Sequence, residues 1–313
     1  MPTSRQTRHG LALALAAVLA LASAASCGPA GEPEPPADLI GQARQLDLDG
    51  RQDAAIALYR QVLAQDPGSY DAHNGLGRAL DLSGRYDEAR DHFGRALELS
   101  PESSRDQTLR MMGIAWTFVG DTAEAARCFE DVFERRLAAR NFPGASEVAN
   151  ELGRVHLESG QLDMAEAWYR RGHEVAGQEP DRPEWQVDLA DMRWAHAQAR
   201  LAARRGQADD VGRHEAEVAA LLQKGGNDDQ QVQYAYLLGY DAFHLGDHAS
   251  AIAHLREADQ QDPFILLLLA QASEAMGDAA GAQAYYRQVL ESNSHAVNNA
   301  FARPVAREKL AAS

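Results

Sequence analysis

Residues 70–101 read YDAHNGLGRALDLSGRYDEARDHFGRALELSP, and their spacing decides the fold. Gly84 closes one amphipathic segment and opens the reversal into the next. Seven residues before it stands Gly77, five after it Ala89, nine after it Phe93 and seventeen after it Pro101. The same register recurs outward in both directions. Gly50, Gly84, Gly120, Gly160, Gly206, Gly246 and Gly277 are spaced 34, 36, 40, 46, 40 and 31 residues apart. Seven residues before each stands Ala43, Gly77, Gly113, Gly153, Ala199, Gly239 or Ala270. Five residues after come Ala55, Ala89, Ala125, Ala165, Val211, Ala251 and Ala282. Nine residues after, six of the seven copies carry a large side chain: Tyr59, Phe93, Phe129, Tyr169, Leu255 and Tyr286.

A register held through so many copies predicts an array of helical hairpins. Each glycine can adopt φ > 0, so the first helix stops and the chain reverses. Antiparallel helices approach closely only over small side chains, which predicts Gly or Ala facing Ala across each hairpin, with the large residue filling the gap toward the next. Pro67, Pro101 and Pro263 fall seventeen residues past their glycines and are expected to end the second helix. One hairpin of two short helices buries too little apolar area to fold alone, whereas stacked copies share a core.

These residues resemble the tetratricopeptide repeat. Leu76-Gly77, Leu80, Ala89, Phe93, Ala96 and Pro101 match the family pattern almost in full. Met112-Gly113, Trp116, Ala125 and Phe129 form another copy, as do Leu152-Gly153, Ala165 and Tyr169, and Leu238-Gly239, Ala251, Leu255, Ala258 and Pro263. The resemblance covers Asp38 to Val289. It implies an all-α, right-handed superhelical solenoid of about seven antiparallel hairpins. The copy around Gly206 departs most, with Val211 and Glu215 at the packing positions, so a second helix there is in doubt. Two breaks flank it, Gly177 to Pro183 and Lys224 to Asp229. The expected organisation is a leader over 1–26, a tether over 27–36, hairpins one to four over 37–176, an irregular fifth over 177–231, hairpins six and seven over 232–292, and a cap over 293–313. Within that cap, Phe301 to Leu310 is expected to cover the last exposed helix face.

The amino terminus reads as a targeting segment. Arg5 and Arg8 precede a largely apolar run of fifteen residues, Leu11 to Ala25. As a helix that run reaches about 22 Å, short of the roughly 30 Å hydrocarbon core, so it reads as a secretory signal and not a span. Its end, Ala24-Ala25-Ser26-Cys27, resembles a bacterial lipoprotein cleavage box, except that Ala24 stands where Leu is usual. The resemblance implies lipid attachment at Cys27, and Gly28 beside it implies the outer membrane, with the repeats facing the periplasm. Ala22-Ser23-Ala24 also suits ordinary signal peptidase, which would release a secreted or periplasmic chain. The Pro-rich stretch from Gly28 to Pro36 reads as an extended tether.

The formal charge of −16 argues against nucleic acid and anionic headgroups as general partners. No catalytic constellation is present: no G-x-S-x-G, P-loop, H-E-x-x-H or C-x-x-C, and no cofactor or metal is expected. His244 and His248 have metal-like spacing, but Gly246-Asp247 interrupts the helix that would align them; they read as solvated turn residues. Cys128, with Cys27 lipidated, has no intrachain partner and is expected to be protected by burial.

The inner face is more informative. The family's inward positions, six and ten residues before each turn glycine, give Arg44, Asn74, Arg78, Arg110, Asn150 and Arg154. The weak fifth copy adds His196 and Arg200, and the sixth adds Tyr236 and Tyr240, with Phe243 and His244 nearby. Asn bonds peptide backbone and Arg takes carboxylate bidentately, so the stripe is expected to bind an extended peptide carrying acidic groups or a terminal carboxylate. Against this, Arg44 and Arg78 precede Asp47 and Asp81 by three residues, and Arg154 precedes Glu158 by four; such pairs form on any exposed helix. The implied function is a non-catalytic scaffold holding partner proteins. An accessory subunit of a cell-envelope enzyme and a small-molecule receptor around Tyr236, Tyr240 and Phe243 are the alternatives.

Overall fold

The computed structural model describes residues 36–312. The leader, Cys27 and nearly all of the tether lie outside the described residues. Seven helix pairs follow in order: α1 (Pro36–Leu48) with α2 (Gln52–Gln65), α3 (Tyr70–Ser83) with α4 (Tyr86–Leu99), α5 (Arg105–Phe118) with α6 (Thr122–Ala138), α7 (Phe142–Glu158) with α8 (Leu162–Ala176), α9 (Glu184–Arg204) with α10 (Ala208–Gln223), α11 (Gln231–His244) with α12 (His248–Leu255), and α13 (Pro263–Ala275) with α14 (Ala279–Glu291). A last helix, α15 (Val297–Ala311), stands alone. The described residues form an all-α superhelical stack without strands.

All seven register glycines sit in the left-handed region, with φ between 70° and 86°. After three of them the next residue caps the following helix. Asp121, Asp247 and Asp278 accept hydrogen bonds from the backbone amides of Glu124, Ser250 and Gly281. The α6–α7 turn uses Arg140 in the left-handed region instead, at φ 57°, followed by Asn141 capping Gly144.

In four hairpins the small residue, a glycine, lies beneath the large side chain of its own second helix. A Cβ added to Gly77 or Gly113 would stand 2.9 Å from the ring of Phe93 or Phe129, and one on Gly153 would stand 2.8 Å from Tyr169. Leu255 covers Gly239 in the same way. Tyr59 reaches forward, onto Gly75 of the following hairpin. The ring fills the volume a side chain would need, which is why the register demands Gly or Ala there.

Two sequence expectations are corrected. The fifth hairpin has a full second helix, α10, with Val211, His214, Val218 and Leu222 turned inward. Its buried stripe runs through those residues, so a Glu at the usual ring position does not prevent it. Pro263 does not end a helix: α12 stops at Leu255, and Pro263 opens α13, where its missing N–H costs nothing.

The first helices of successive hairpins touch one another, α1 with α3, α3 with α5, α9 with α11 and α11 with α13, and so line the inner side. Helix α15 lies against α13 and α14 and also against α5 and α7. Ala302 and Ala306 join the core of the last hairpins, while Val297 and Ala300 join that of α5 to α8. The last segment also reaches the first turns. Arg303 Nε and an Arg307 guanidinium nitrogen each donate to the Leu82 carbonyl at 2.8 Å, and Asn293 donates to the Leu48 carbonyl.

Candidate functional site

The arginines expected on the inner face bridge hairpins instead of pairing along one helix. Arg78 meets Asp47 of the preceding hairpin at 2.8 Å, and that carboxylate is fully buried. Arg110 clasps Glu151 on α7 with two hydrogen bonds of 2.7 and 2.6 Å. Arg44, well exposed, stands 3.8 Å from Asp71. Asp81, three residues past Arg78, is engaged by His295 from the far end of the chain. Glu158 pairs with Arg204 at 3.2 Å and accepts from the Tyr240 hydroxyl. Asn150 donates to the Ser146 carbonyl one turn back, and the Asn74 side-chain oxygen is buried without a partner.

Of the sequence candidates, the fold gathers Asn150, Arg154 and Tyr236 around one cavity of about 690 Å³ between α7, α9 and α11. Arg200, His196 and Tyr169 share its wall, and Ala296 to Asn298 at the start of α15 close it. Arg44, Asn74, Arg78 and Arg110 lie on other hairpins, and Tyr240 is wholly buried. Arg154 lies 4.6 Å above the Phe264 ring and donates to the Tyr236 hydroxyl at 3.2 Å. Arg200, 7% exposed, donates to the Tyr169 hydroxyl at 3.2 Å. Burial and the Arg200 charge hold His196 well below its ordinary range, so this imidazole is neutral. Burial pushes the Tyr236 phenol up to about 12.

A smaller compartment of about 210 Å³ adjoins it, lined by Trp185, Leu189, Trp194 and Pro143, and shares Asn150, Tyr169 and Arg193 with the larger one. It is built from the first half of α9 with facing residues of α7 and α8, and Glu179 and Arg182 of the irregular segment before α9 complete it. Its connection to the inner face could not be read from the register, because that segment follows no repeat.

His244 is not a solvated turn residue. Its ring lies tilted against Tyr240, centroids 4.3 Å apart, and burial foremost, then Arg204, lowers its pKa to about 4. Among the described residues no group of three or more His, Cys, Asp or Glu side chains is placed to hold a metal ion. Cys128 is half-buried, and that burial pushes its thiol up to about 11, so it stays protonated at neutral pH. No described helix is long and apolar enough to cross a membrane.

A stack of hairpins presenting one continuous inner surface defines a protein-interaction scaffold. Tetratricopeptide-repeat models match residues 48–110, 118–179, 232–257 and 265–295. The chain belongs to the tetratricopeptide-repeat family. The cellulose synthase 1 operon protein C of Komagataeibacter xylinus is similar, at 28% identity over 277 residues, which cover 82% of this chain and 19% of that protein. The chain therefore spans about one fifth of that relative's length. Among solved structures, a tetratricopeptide repeat protein from Parabacteroides merdae superposes with a TM-score of 0.51 at 16% identity, covering 88% of this chain and 97% of that one. The nearly identical TPR-like repeats of a kinesin light chain from Podosopora anserina give 0.51 at 18%, covering 62% and 100%. At such identity the likeness is one of fold.

Proposed function

We propose that this chain is a non-catalytic scaffold, anchored in the cell envelope through lipid on Cys27 and facing the periplasm, that holds partner proteins against its inner surface. The observation that carries this reading is the inner row of Arg and Asn side chains, repeated on successive first helices. The formal charge of −16 sets that row apart from the rest of the chain and disfavours nucleic acid as the partner. Most of the arginines are already paired, so recognition centres on the cavity between α7, α9 and α11 and on the exposed Arg44. Photocrosslinkers placed at Arg44 and Arg193 should capture partner protein in intact cells, and one at Arg127 on the outer helix α6 should not. Equal capture from all three positions contradicts an inner binding face. Replacing Cys27 by Ser should release the chain from sedimented envelopes; unchanged sedimentation contradicts the anchor.

A second reading, an accessory subunit of an envelope enzyme, draws on the Komagataeibacter relative, whose name places that protein in a cellulose synthase operon. Stoichiometric co-purification with a single enzyme favours it; several structural partners favour the scaffold.

A further inference from the structure

Three departures from the repeat meet at one place. Helix α9 has 21 residues, where the other first helices have 13 to 17, and the additional turns at its start carry Trp185 and Gln186. The break before it brings Glu179 and Arg182 to the same compartment. The break after α10 folds back onto the start of α9. There Lys224 Nζ meets Asp188 at 2.6 Å, and Asn227, itself buried, donates to the Trp185 carbonyl at 3.0 Å. A Cβ on Gly226 would stand 3.3 Å from that of Trp185. Among the described residues Trp185 is the one tryptophan left exposed, at 46%. Core packing does not account for an indole pinned in the open.

The compartment that Trp185 borders, about 210 Å³, suits a ligand rich in hydroxyls. Trp194 forms a second aromatic wall. Its ring is backed by His173, stacked at 6.0 Å and fixed in turn by a 2.8 Å contact with Asp191. Glu179, Arg182 and Gln186 are half-buried, and their side chains make no hydrogen bond or ion pair among the described residues. Together they offer an acceptor, a fork of donors and an amide that is both. One carboxylate and one guanidinium cancel, so the set selects by hydrogen bonding and not by net charge. A pyranose combines a face of C–H groups, which packs on an indole, with a rim of hydroxyls that each donate and accept. The polar edge of a nucleobase has fewer groups and would leave part of the set unmet.

We infer that this compartment is a saccharide-binding site, in which a pyranose unit of a neutral glycan packs against Trp185 and Trp194 and bonds Glu179, Arg182 and Gln186 through its hydroxyls. Asn150 and Tyr169 line both this compartment and the larger cavity, so the glycan can continue from one into the other. The site goes beyond the proposed partner-holding role and does not depend on it.

The test is calorimetry on the full chain with cellohexaose, chitohexaose and adenosine. At least one hexasaccharide should bind, more tightly than adenosine and with a change in tryptophan emission. Trp185→Ala should weaken that hexasaccharide at least tenfold. Should this variant fail to fold, Gln186→Ala, which removes hydrogen bonds alone, should weaken it at least threefold. Arg127→Ala, on the outer helix α6, should leave its affinity unchanged. Binding of neither hexasaccharide, tighter binding of adenosine, or an affinity indifferent to both Trp185→Ala and Gln186→Ala overturns the site. Crosslinking at Arg44 is read separately, so loss of the saccharide site leaves the scaffold reading standing, and loss of that crosslink leaves the site standing.

Discussion

Asp81 and His295, 214 residues apart in sequence, meet at 2.8 Å with side-chain exposures of 0% and 2%. The imidazole lies between the rings of Phe93 and Phe118, with centroids 5.4 and 5.5 Å away. A chain of local hairpins is thereby tied to its own end at a point with no access to water.

Removing one partner there leaves the other buried and unsatisfied. His295→Ala is expected to destabilise the fold by about 3–5 kcal/mol, the usual cost of breaking a buried pair. Asp81→Asn should cost less, because an amide still bonds the imidazole. Urea melts of the two single variants and the double variant check this; additive losses contradict direct coupling.

The glycine-on-ring packing predicts a non-additive pair. Gly77→Ala places a Cβ 2.9 Å from the Phe93 ring and should cost roughly 1–3 kcal/mol. Phe93→Ala should cost about 3–5 kcal/mol through the void it leaves. With the ring gone, the alanine at 77 has room, so the double variant should be more stable than the sum of losses implies. Chemical denaturation of all three variants reads this directly.

Asp241 on α11 is fully buried, and burial first, then the neighbouring Glu215, pushes its carboxyl up to about 8 from an ordinary value of 3.8. The folded chain therefore keeps this proton where the unfolded chain has released it. Stability from this group is greatest below the unfolded value and declines as pH rises toward about 8. Asp241→Asn should flatten that decline and raise the melting temperature more at pH 8 than at pH 5. An unaltered slope in the variant rules the assignment out.

The Cys128 thiol, shielded and raised to about 11, should scarcely react with a disulfide reagent at pH 8 in the folded chain. In a Cys27→Ser background, unfolding should expose one fast-reacting thiol. Rapid labelling of the native protein contradicts burial as its protection.

Hairpin turns were legible because a left-handed residue is a local requirement, and glycine meets it at all seven positions. Helix α10 was not. Its ring position holds Glu215, whose carboxyl burial raises beside Asp241, a relation between helices that spacing along one helix cannot display. Register also grouped Arg154, Arg200 and Tyr236, which line one cavity. Their partners were not readable. Arg78 finds Asp47 in the preceding hairpin, and Asp81 finds His295 in the last segment. The buried acids Asp47 and Asp81 share one place, three residues before their glycines, and that repeat was the available hint of distant bases.

The attachment of α15 to the opening turns bears on how the chain matures. Asn293, His295 and Arg303 bond residues 245, 214 and 221 positions upstream. Early hairpins emerging from a ribosome or translocon can zip up locally, yet their last partners arrive only when synthesis is nearly finished. Such long loops are slow to close. A product truncated before residue 293 would present open seams at Leu48 and Leu82, a ready mark for quality-control proteases.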